Sequence, residues 1–598
     1  MWFSAILLLA AALRIVNLDA LPLWIDEGFS YLAVKSPDLL TALVRDVHPP
    51  LYFVLLKAWA GVTGVSEFAL RYPSALLGVL SAALIVPLAR EIVWLRGRAS
   101  DRDLRLNVSL LAALLLAVSE MGYYIAHEVR SYSLHLALAI FSAWMLLRWV
   151  RRGGRLPAAL WIIGLIALLY THYLGAWTAL VQGLYALAVL RGRRRWIAFG
   201  LLSLAALVFA GWLAAVVLPY QTVKADSDAT IDASTLDTLI SYARQYLTGQ
   251  WALMLGLFGI GLIHIDGGRI RLRPLRASLL LLAWIVVPVA LTFAGNLRYS
   301  IMTNYRLSQI VIPLVLIWAL GLAAFRPPVR GFLVAVVVIY GVFTVDFGKL
   351  YFPWDTYAAR ISDYASADDV VLMDFKGVDF SMEYYLDRQL AAGVDLFSLR
   401  QTLEWMPDTL YADVIPALTA APTVWLARWN DTPVALDLLR DAGLVVTYRD
   451  LYEFQGSTVE TWRFDRLQPD APPVAAFANG LRLLDAEVSA DSLHAGLLWT
   501  LDAPLDAGYT LSVFLLDSAG RLVAQHDAPP SPPTDAWQAG DVVFTPMRLT
   551  PVDGAALPAG DYQVGVKVYL WQPDGLADIP TGAGEPYAVA GVLTIPGE

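Results

Sequence analysis

Two adjacent acids, Asp26 and Glu27, follow the first hydrophobic stretch of the chain in the run Trp24-Ile25-Asp26-Glu27-Gly28. A segment leaving a bilayer has no structural need for two carboxylates at its exit. Neighbours on a helix diverge by about 100°, so the pair cannot aim at one atom. One acid can serve as a general base that takes the proton of an attacking hydroxyl, and the other as a cap, a metal ligand or an acceptor contact. A helix N-cap is the alternative reading of the same pair. His48 stands before Pro49-Pro50, which fix the backbone and aim it. It suits phosphate binding, proton donation or metal ligation, or else a plain turn at the membrane surface. Glu67 and Arg71 are one helical turn apart: either an ion pair or, at the head of a span, an arginine set to meet phosphate.

The run His127-Glu128-Val129-Arg130-Ser131-Tyr132, then His172, then Tyr305-Arg306, mark further charged positions close to apolar spans. The tyrosines fit an aromatic belt at the membrane interface. Arg130 and Arg306 stand on the arginine-poor side, where charge near the membrane points to function. His48, His127, His172 and the acids leave a divalent metal site possible, although no His-x-x-x-His spacing exists.

The elements that must position these residues are membrane spans. Hydrophobic residues make up 58% of the 598 positions and charged residues only 16%. Mean hydropathy is +0.57, well above a soluble chain. Apolar runs near 1–18, 71–94, 108–125, 132–150, 156–172, 173–190, 197–219, 251–265, 277–295, 306–323 and 330–347 predict about eleven spans. The first run has no basic leader and no clear cleavage site, and reads as an uncleaved span. Leu51 to Gly64 is too short to cross and reads as an interfacial helix. Every second loop is rich in arginine: 96–105, 151–155, 191–195, 269–276 and 326–330. The positive-inside rule makes those loops and the N-terminus cytoplasmic. Asp26, Glu27, Glu67 and Glu128 then face outward, as does everything after Phe347, in a multi-pass protein of a bacterial-type plasma membrane.

After residue 347 the composition becomes that of a soluble, aspartate-rich protein, which accounts for the net charge of -9 and argues against nucleic acid as a partner. With no cysteine, neither a disulfide nor a thiolate metal site can form. Buried-strand runs at Val370–Met373 and Thr423–Leu426, and a helix opening at Thr432-Pro433 and closing at Gly443, predict an α/β domain over 348–467. Pro469, Pro472 and Pro473 mark a linker. Short alternating runs then predict a β-sandwich over 474–598. Residues 1–347 form the helical membrane domain.

An outward-facing site cannot draw on cytoplasmic nucleotide donors. The Asp226-Ser227-Asp228 run therefore reads as a solvated turn. A polyprenyl phosphate sugar fits instead: lipid between the spans, phosphate against arginine, sugar toward Asp26. The ordered set Asp26-Glu27, Asp46-Val47-His48-Pro49-Pro50-Leu51 and Glu67…Arg71-Tyr72-Pro73-Ser74-Ala75-Leu76-Leu77-Gly78 resembles the GT-C membrane glycosyltransferases, among them the protein O-mannosyltransferases and the lipid A aminoarabinose transferases. The resemblance covers about the first 345 residues and implies an inverting glycosyltransferase with a polyprenyl phosphate sugar as donor. Asp26 would be the base and Glu27 would orient the acceptor or assist. His48, Arg71, Arg130 and Arg306 would meet phosphate, with Glu67, Glu128, His172 and Tyr305 supporting the acceptor. The acceptor would be protein, lipid or glycan. Aminoarabinose transferases tend to carry Glu-Lys where this chain has Val47-His48, so neither their metal site nor their acceptor carries over. A transporter or flippase of lipid-linked sugars is the rival. It calls for charges near the midplane and repeat symmetry, which the chain lacks.

Overall fold

The computed structural model describes residues 2–46, 49–96, 102–218, 251–266, 269–272, 275–296, 305–343, 352–375, 379–429, 432–468, 472–572 and 575–597, with positions 242, 246 and 303. His48 and Asp226-Ser227-Asp228 lie outside the described residues. The chain divides into two compact units, Met1–Tyr351 and Phe352–Glu598.

The first unit is a helical bundle. Its opening helices are α1 (Trp2–Ile15), α2 (Ile25–Lys35), α3 (Leu39–Asp46), α4 (Leu51–Thr63), α5 (Glu67–Leu95), α6 (Arg102–Ala117) and α7 (Glu120–Tyr124). They are followed by α8 (Tyr132–Arg152), α9 (Arg155–Leu169), α10 (Gly175–Val189), α11 (Arg193–Trp212), α12 (Trp251–Leu262), α13 (Leu275–Asn296), α14 (Val311–Ala323) and α15 (Pro327–Phe343). Each of the eleven apolar runs coincides with a helix or a helix pair. Five are long and apolar enough to cross a membrane unaided, and the bent pair α6–α7 makes a sixth. The remaining five, like α4, are shorter apolar helices, so the number of full crossings is not fixed by length. The sequence expectation fails at one point. The run 251–265 ends as a helix at Leu262, and β1 (Ile263–Asp266) pairs with β2 (Arg269–Leu272) as an antiparallel hairpin. Alternating apolar and polar residues there outweigh the hydrophobic average that a span window measures.

Burial ranks the spans. The apolar window of Tyr305–Ala323 is 89% buried inside the bundle, whereas that of Arg193–Val216 is 11% buried, which leaves α11 a lipid-facing helix. Lipid tails are as apolar as leucine, so the bundle must be held by close packing and polar ties. Ionic and charge-assisted bonds are among these ties. Arg14, in the last turn of α1, is 1% exposed. It donates to Ala117 O at 2.9 Å and Leu116 O at 3.1 Å. These are end carbonyls of α6 that no helix partner satisfies, at a bend of 58°. Glu91 on α5 pairs with Arg151 on α8 at 2.5 Å, at the opposite end of both helices from Arg71 and Arg130.

Room for the Arg14 side chain depends on Gly78, where a Cβ would stand 2.6 Å from Arg14 Nε. Gly78→Ala is therefore expected to destabilise the protein by about 1–3 kcal/mol through overpacking. Gly61→Ala, whose Cβ would meet nothing within 4 Å, should leave the unfolding midpoint unchanged or slightly raised. Thermal unfolding of both variants in the same micelles checks this.

In the second unit, α16 (Trp354–Ser362) leads into a five-stranded sheet. Its strands are β3 (Val370–Phe375), β4 (Asp395–Ser398), β5 (Thr423–Trp429), β6 (Val445–Phe454) and β7 (Ser457–Asp465), in the order β4-β3-β5-β7-β6. β3 runs parallel to β4 and β5, and β7 closes antiparallel. The helix read as opening at Thr432-Pro433 begins one step later, at Val434, with Pro433 as its N-cap. It ends, as read, beside Gly443, whose φ of +78° suits glycine. From Ala475 to Ile595 the chain forms a four-stranded and a six-stranded antiparallel sheet around Trp499, Trp537, Leu511 and Val566. The alternating runs behind the sandwich reading, Ala495–Trp499, Thr510–Leu515, Asp541–Phe544 and Tyr562–Leu570, fall in or overlap the strands His494–Leu501, Thr510–Leu516, Val542–Arg548 and Gly560–Gln572.

Candidate active site

The site is built at the N-terminal turn of α2. Trp24 is the N-cap, and Asp26 and Glu27 fall in the first helical turn, where the helix dipole favours negative charge. The two acids diverge as helical neighbours must. Glu27 is 1% exposed. The Asp26 side chain is 33% exposed.

Glu27 is fully engaged within the protein. Its Oε1 accepts from Arg71 Nε at 2.8 Å and from the Val129 amide at 2.8 Å. Its Oε2 accepts from Arg71 Nη2 at 2.7 Å and from the Trp24 amide at 3.3 Å. Arg71, from the second turn of α5, gives its remaining donors to the carbonyls of Leu18, Leu21 and Pro22. All five of its N–H groups are thus directed to Glu27 and three carbonyls, none to Glu67 one turn earlier. Neither expected contact, Glu27 to acceptor or Arg71 to phosphate, can form without breaking this pair. Glu67 sits half-buried at the start of α5, capped by Ser66.

The segment 128–131 closes over α2. Ser30 Oγ donates to Val129 O at 2.7 Å. Arg130 Nη1 donates to Asp26 O at 3.1 Å, and its Nη2 stands 3.8 Å from Asp26 Oδ2. Glu128 is 2% exposed and accepts from Trp24 Nε1 at 2.5 Å. Burial, reinforced by the charge of Glu27, holds the Glu128 carboxyl well above the usual carboxylate range. The folded chain therefore binds this proton more tightly than the unfolded chain. The associated stability is full below 4.5, the ordinary value, and is lost as pH rises toward the elevated folded value. Glu128→Gln, neutral at every pH, is expected to flatten that loss. Unfolding midpoints from pH 5 to 8 should fall more steeply with pH for the parent than for the variant.

An aromatic wall stands beside Asp26. Tyr305 lies 5.0 Å from Tyr132, 6.1 Å from Tyr124 and 6.3 Å from Trp24, ring to ring. His172 lies 5.6 Å from Tyr132 and accepts the Leu174 amide on Nδ1, leaving its proton on Nε2. Asp26, Arg130 and Arg306 all lie within electrostatic reach of both Tyr132 and Tyr305. The Leu51 amide donates to Tyr170 O at 2.9 Å, which brings the Pro49-Pro50 turn beside the segment carrying His172.

Sequence reasoning missed a polar chain beneath this wall. His135 Nε2 is 3.3 Å from Gln309 Oε1, and Thr178 Oγ1 donates to the same oxygen. Trp284 Nε1 donates to Thr178 Oγ1 at 3.3 Å. Gln309 belongs to the 3-10 turn Tyr305–Ile310, so the chain anchors the segment that presents Tyr305 and Arg306. Polar residues inside apolar spans were the available signal. Trp24, Tyr124 and Tyr132 were hidden by their fit to an aromatic belt. Among the described residues, no three His, Asp or Glu side chains gather as a metal ligand set.

The helical unit, with several helices long and apolar enough to cross a membrane, is that of a polytopic membrane protein of GT-C fold. The solved structures it matches include ArnT from Cupriavidus metallidurans in the apo state, at TM-score 0.53 and 13% identity, over 77% of this chain and 97% of that one. The same protein bound to undecaprenyl phosphate matches at TM-score 0.50 and 14% identity, over 79% and 99%. Arabinofuranosyltransferase AftD from Mycobacteria aligns at TM-score 0.46 and 11% identity, over 98% and 63%. At these identities the likeness is one of fold. No family model and no curated protein sequence matches the chain.

Proposed function

We propose that the protein is a membrane glycosyltransferase that moves a sugar from a polyprenyl phosphate carrier to an acceptor hydroxyl at the outer face, inverting the anomeric centre. The observation that carries this reading is the asymmetry of the two acids: Glu27 is buried and locked, while Asp26 is partly exposed beside Arg130. The fold shared with ArnT, solved with undecaprenyl phosphate, supports the donor class. The positive-inside pattern supports the side.

In this reading the acceptor hydroxyl attacks the anomeric carbon from the face opposite the phosphate. The new C–O bond takes the hydroxyl oxygen's lone pair, and the hydroxyl proton passes to Asp26. The bond from the anomeric carbon to the phosphate oxygen breaks, and its electron pair leaves with the polyprenyl phosphate. Arg130 and Arg306 balance the charge that gathers on that phosphate. His48 remains a candidate for the same task. Glu27 and Arg71 act as a clamp that sets the first turn of α2, rather than as contacts to substrate. Tyr305 and His172 shape the acceptor side, and Glu128 and Glu67 support it.

The test supplies purified protein in lipid discs with polyprenyl phosphate carriers bearing different sugars and an envelope extract as acceptor. Release of free polyprenyl phosphate with one carrier supports the reading and names the sugar. Translocation of an intact lipid-linked sugar, with no release, would replace it by a flippase.

A further inference from the structure

From Val129 to Ala225 the chain holds no aspartate or glutamate, yet it carries a dense set of arginines. The structure brings most of them to one corner of the helical unit, at the far end of α8 from Tyr132. There α8 closes on Arg151 and Arg152, α9 opens on Arg155, and α11 opens on Arg193, Arg194 and Arg195. A Cβ at Gly153 would run into the Arg194 guanidinium, so the start of α11 lies against the link between α8 and α9. At their other ends, the hydroxyl of Tyr170, just past α9, donates to Val208 O of α11 at 3.0 Å. The two helices therefore run side by side and parallel.

This corner concentrates positive charge with nothing to balance it. Arg151 is spoken for: it pairs with Glu91 and lies over the Trp94 ring. Arg152, Arg155, Arg193, Arg194 and Arg195 are exposed, and among the described residues none of them pairs with an acid. Arg152 at least faces the negative end of α8. The other four stand at the positive ends of α9 and α11, whose first turns contain no acidic residue, where cations are disfavoured unless an anion is near. A guanidinium fork suits a phosphate better than any other common anion of a membrane surface.

The apolar surroundings say what carries that phosphate. α11 is the lipid-facing helix, and Trp196, directly after its three arginines, is 75% exposed. Indole at that depth marks the boundary between headgroups and tails. Leu156 and Ile163 on α9 and Phe199 and Leu207 on α11 are exposed beyond it, as a surface for acyl chains. The phosphate thus belongs at the top of a lipid. With no carboxylate in the corner to meet an ammonium, a zwitterionic headgroup brings a cation into a field of cations. A headgroup of net negative charge does not.

We propose that the corner between α9 and α11 seats an anionic phospholipid, its phosphate held by Arg155, Arg194 and their neighbours and its chains laid along α11. The proposal rests on no step of the transfer reaction and needs no turnover.

The experiment places the full chain in phosphatidylcholine discs containing a trace of spin-labelled phosphatidylglycerol or spin-labelled phosphatidylcholine. Electron paramagnetic resonance reads the fraction of label held by the protein. Phosphatidylglycerol should be preferred by about tenfold, the order expected when two or more arginines act at a surface. Arg155→Gln with Arg194→Gln should remove most of that preference at an unchanged melting temperature. Arg326→Gln with Arg330→Gln takes the same charge from another arginine-rich loop and should leave the preference within about twofold. Should the first pair melt lower than the parent, Arg155→Lys with Arg194→Lys, which keeps the charges, should keep the preference. Equal retention of the two labels by the parent would overturn the proposal. So would an equal loss in both glutamine pairs, which would mean a diffuse basic face, or a preference that survives the first pair. Displacement of the label by inorganic phosphate would also sink it, by making the corner a site for free anions.

Discussion

Asp26→Asn is expected to lower polyprenyl phosphate release by about 10²–10⁴-fold, the usual worth of a positioned general base. The amide keeps the size of the side chain and its place beside Arg130. What it loses is the ability to take a proton. The carboxylate makes no bond on which the fold depends: the tie to Arg130 that is short enough to count runs through the Asp26 main-chain carbonyl. The melting temperature should therefore stay within a degree or two, as for surface changes away from packed features. Donor binding should also persist, since the arginines are untouched. Retained turnover in the variant would remove Asp26 from the mechanism and move attention to the other groups around it.

Glu27→Ala should do the opposite, striking the fold first. Removal of one partner of a buried ion pair leaves the other charge stranded, at a cost of about 3–5 kcal/mol. Here the stranded group is Arg71, 2% exposed, together with the amides of Val129 and Trp24 that Glu27 accepts. Arg71→Ala should cost a similar amount, because it also releases the carbonyls of Leu18, Leu21 and Pro22. The double variant should lose clearly less than the sum of the two, the signature of a direct pair. Unfolding midpoints of the three variants give the coupling. Whatever folded protein survives should release polyprenyl phosphate slowly, since the turn that aims Asp26 and the segment that carries Arg130 share the same clamp. Full stability in Glu27→Gln would show that the charge of Glu27 is dispensable.

These two expectations separate residues that stand side by side in the chain, and the separation was not visible there. The adjacency of Asp26 and Glu27 established only that they must point apart. Which one faces solvent depends on where Arg71 lies, and Arg71 arrives from 44 positions later. Its spacing from Glu67 suggested a local pair. The structure satisfies the guanidinium over a longer range, because three loop carbonyls and a buried carboxylate meet there and a fork of five donors suits them all. Arg14 is similar. It is a charge inside an apolar run, and it becomes intelligible only when the broken end of α6 lies against it.

The sequence by itself determined the membrane bundle, the helices behind all eleven apolar runs and four strands of the sandwich. Those features rest on local signals, the length of an apolar run and the alternation of a strand, which each segment carries whatever its neighbours do. Only the tertiary structure decided which acid is sealed and which is open. It alone gathered Tyr305, Tyr132 and Trp24 into one wall and ran His135, Gln309 and Thr178 beneath it as a polar chain. Burial and long-range hydrogen bonds are properties of pairs of segments, and no window along a single chain contains both members.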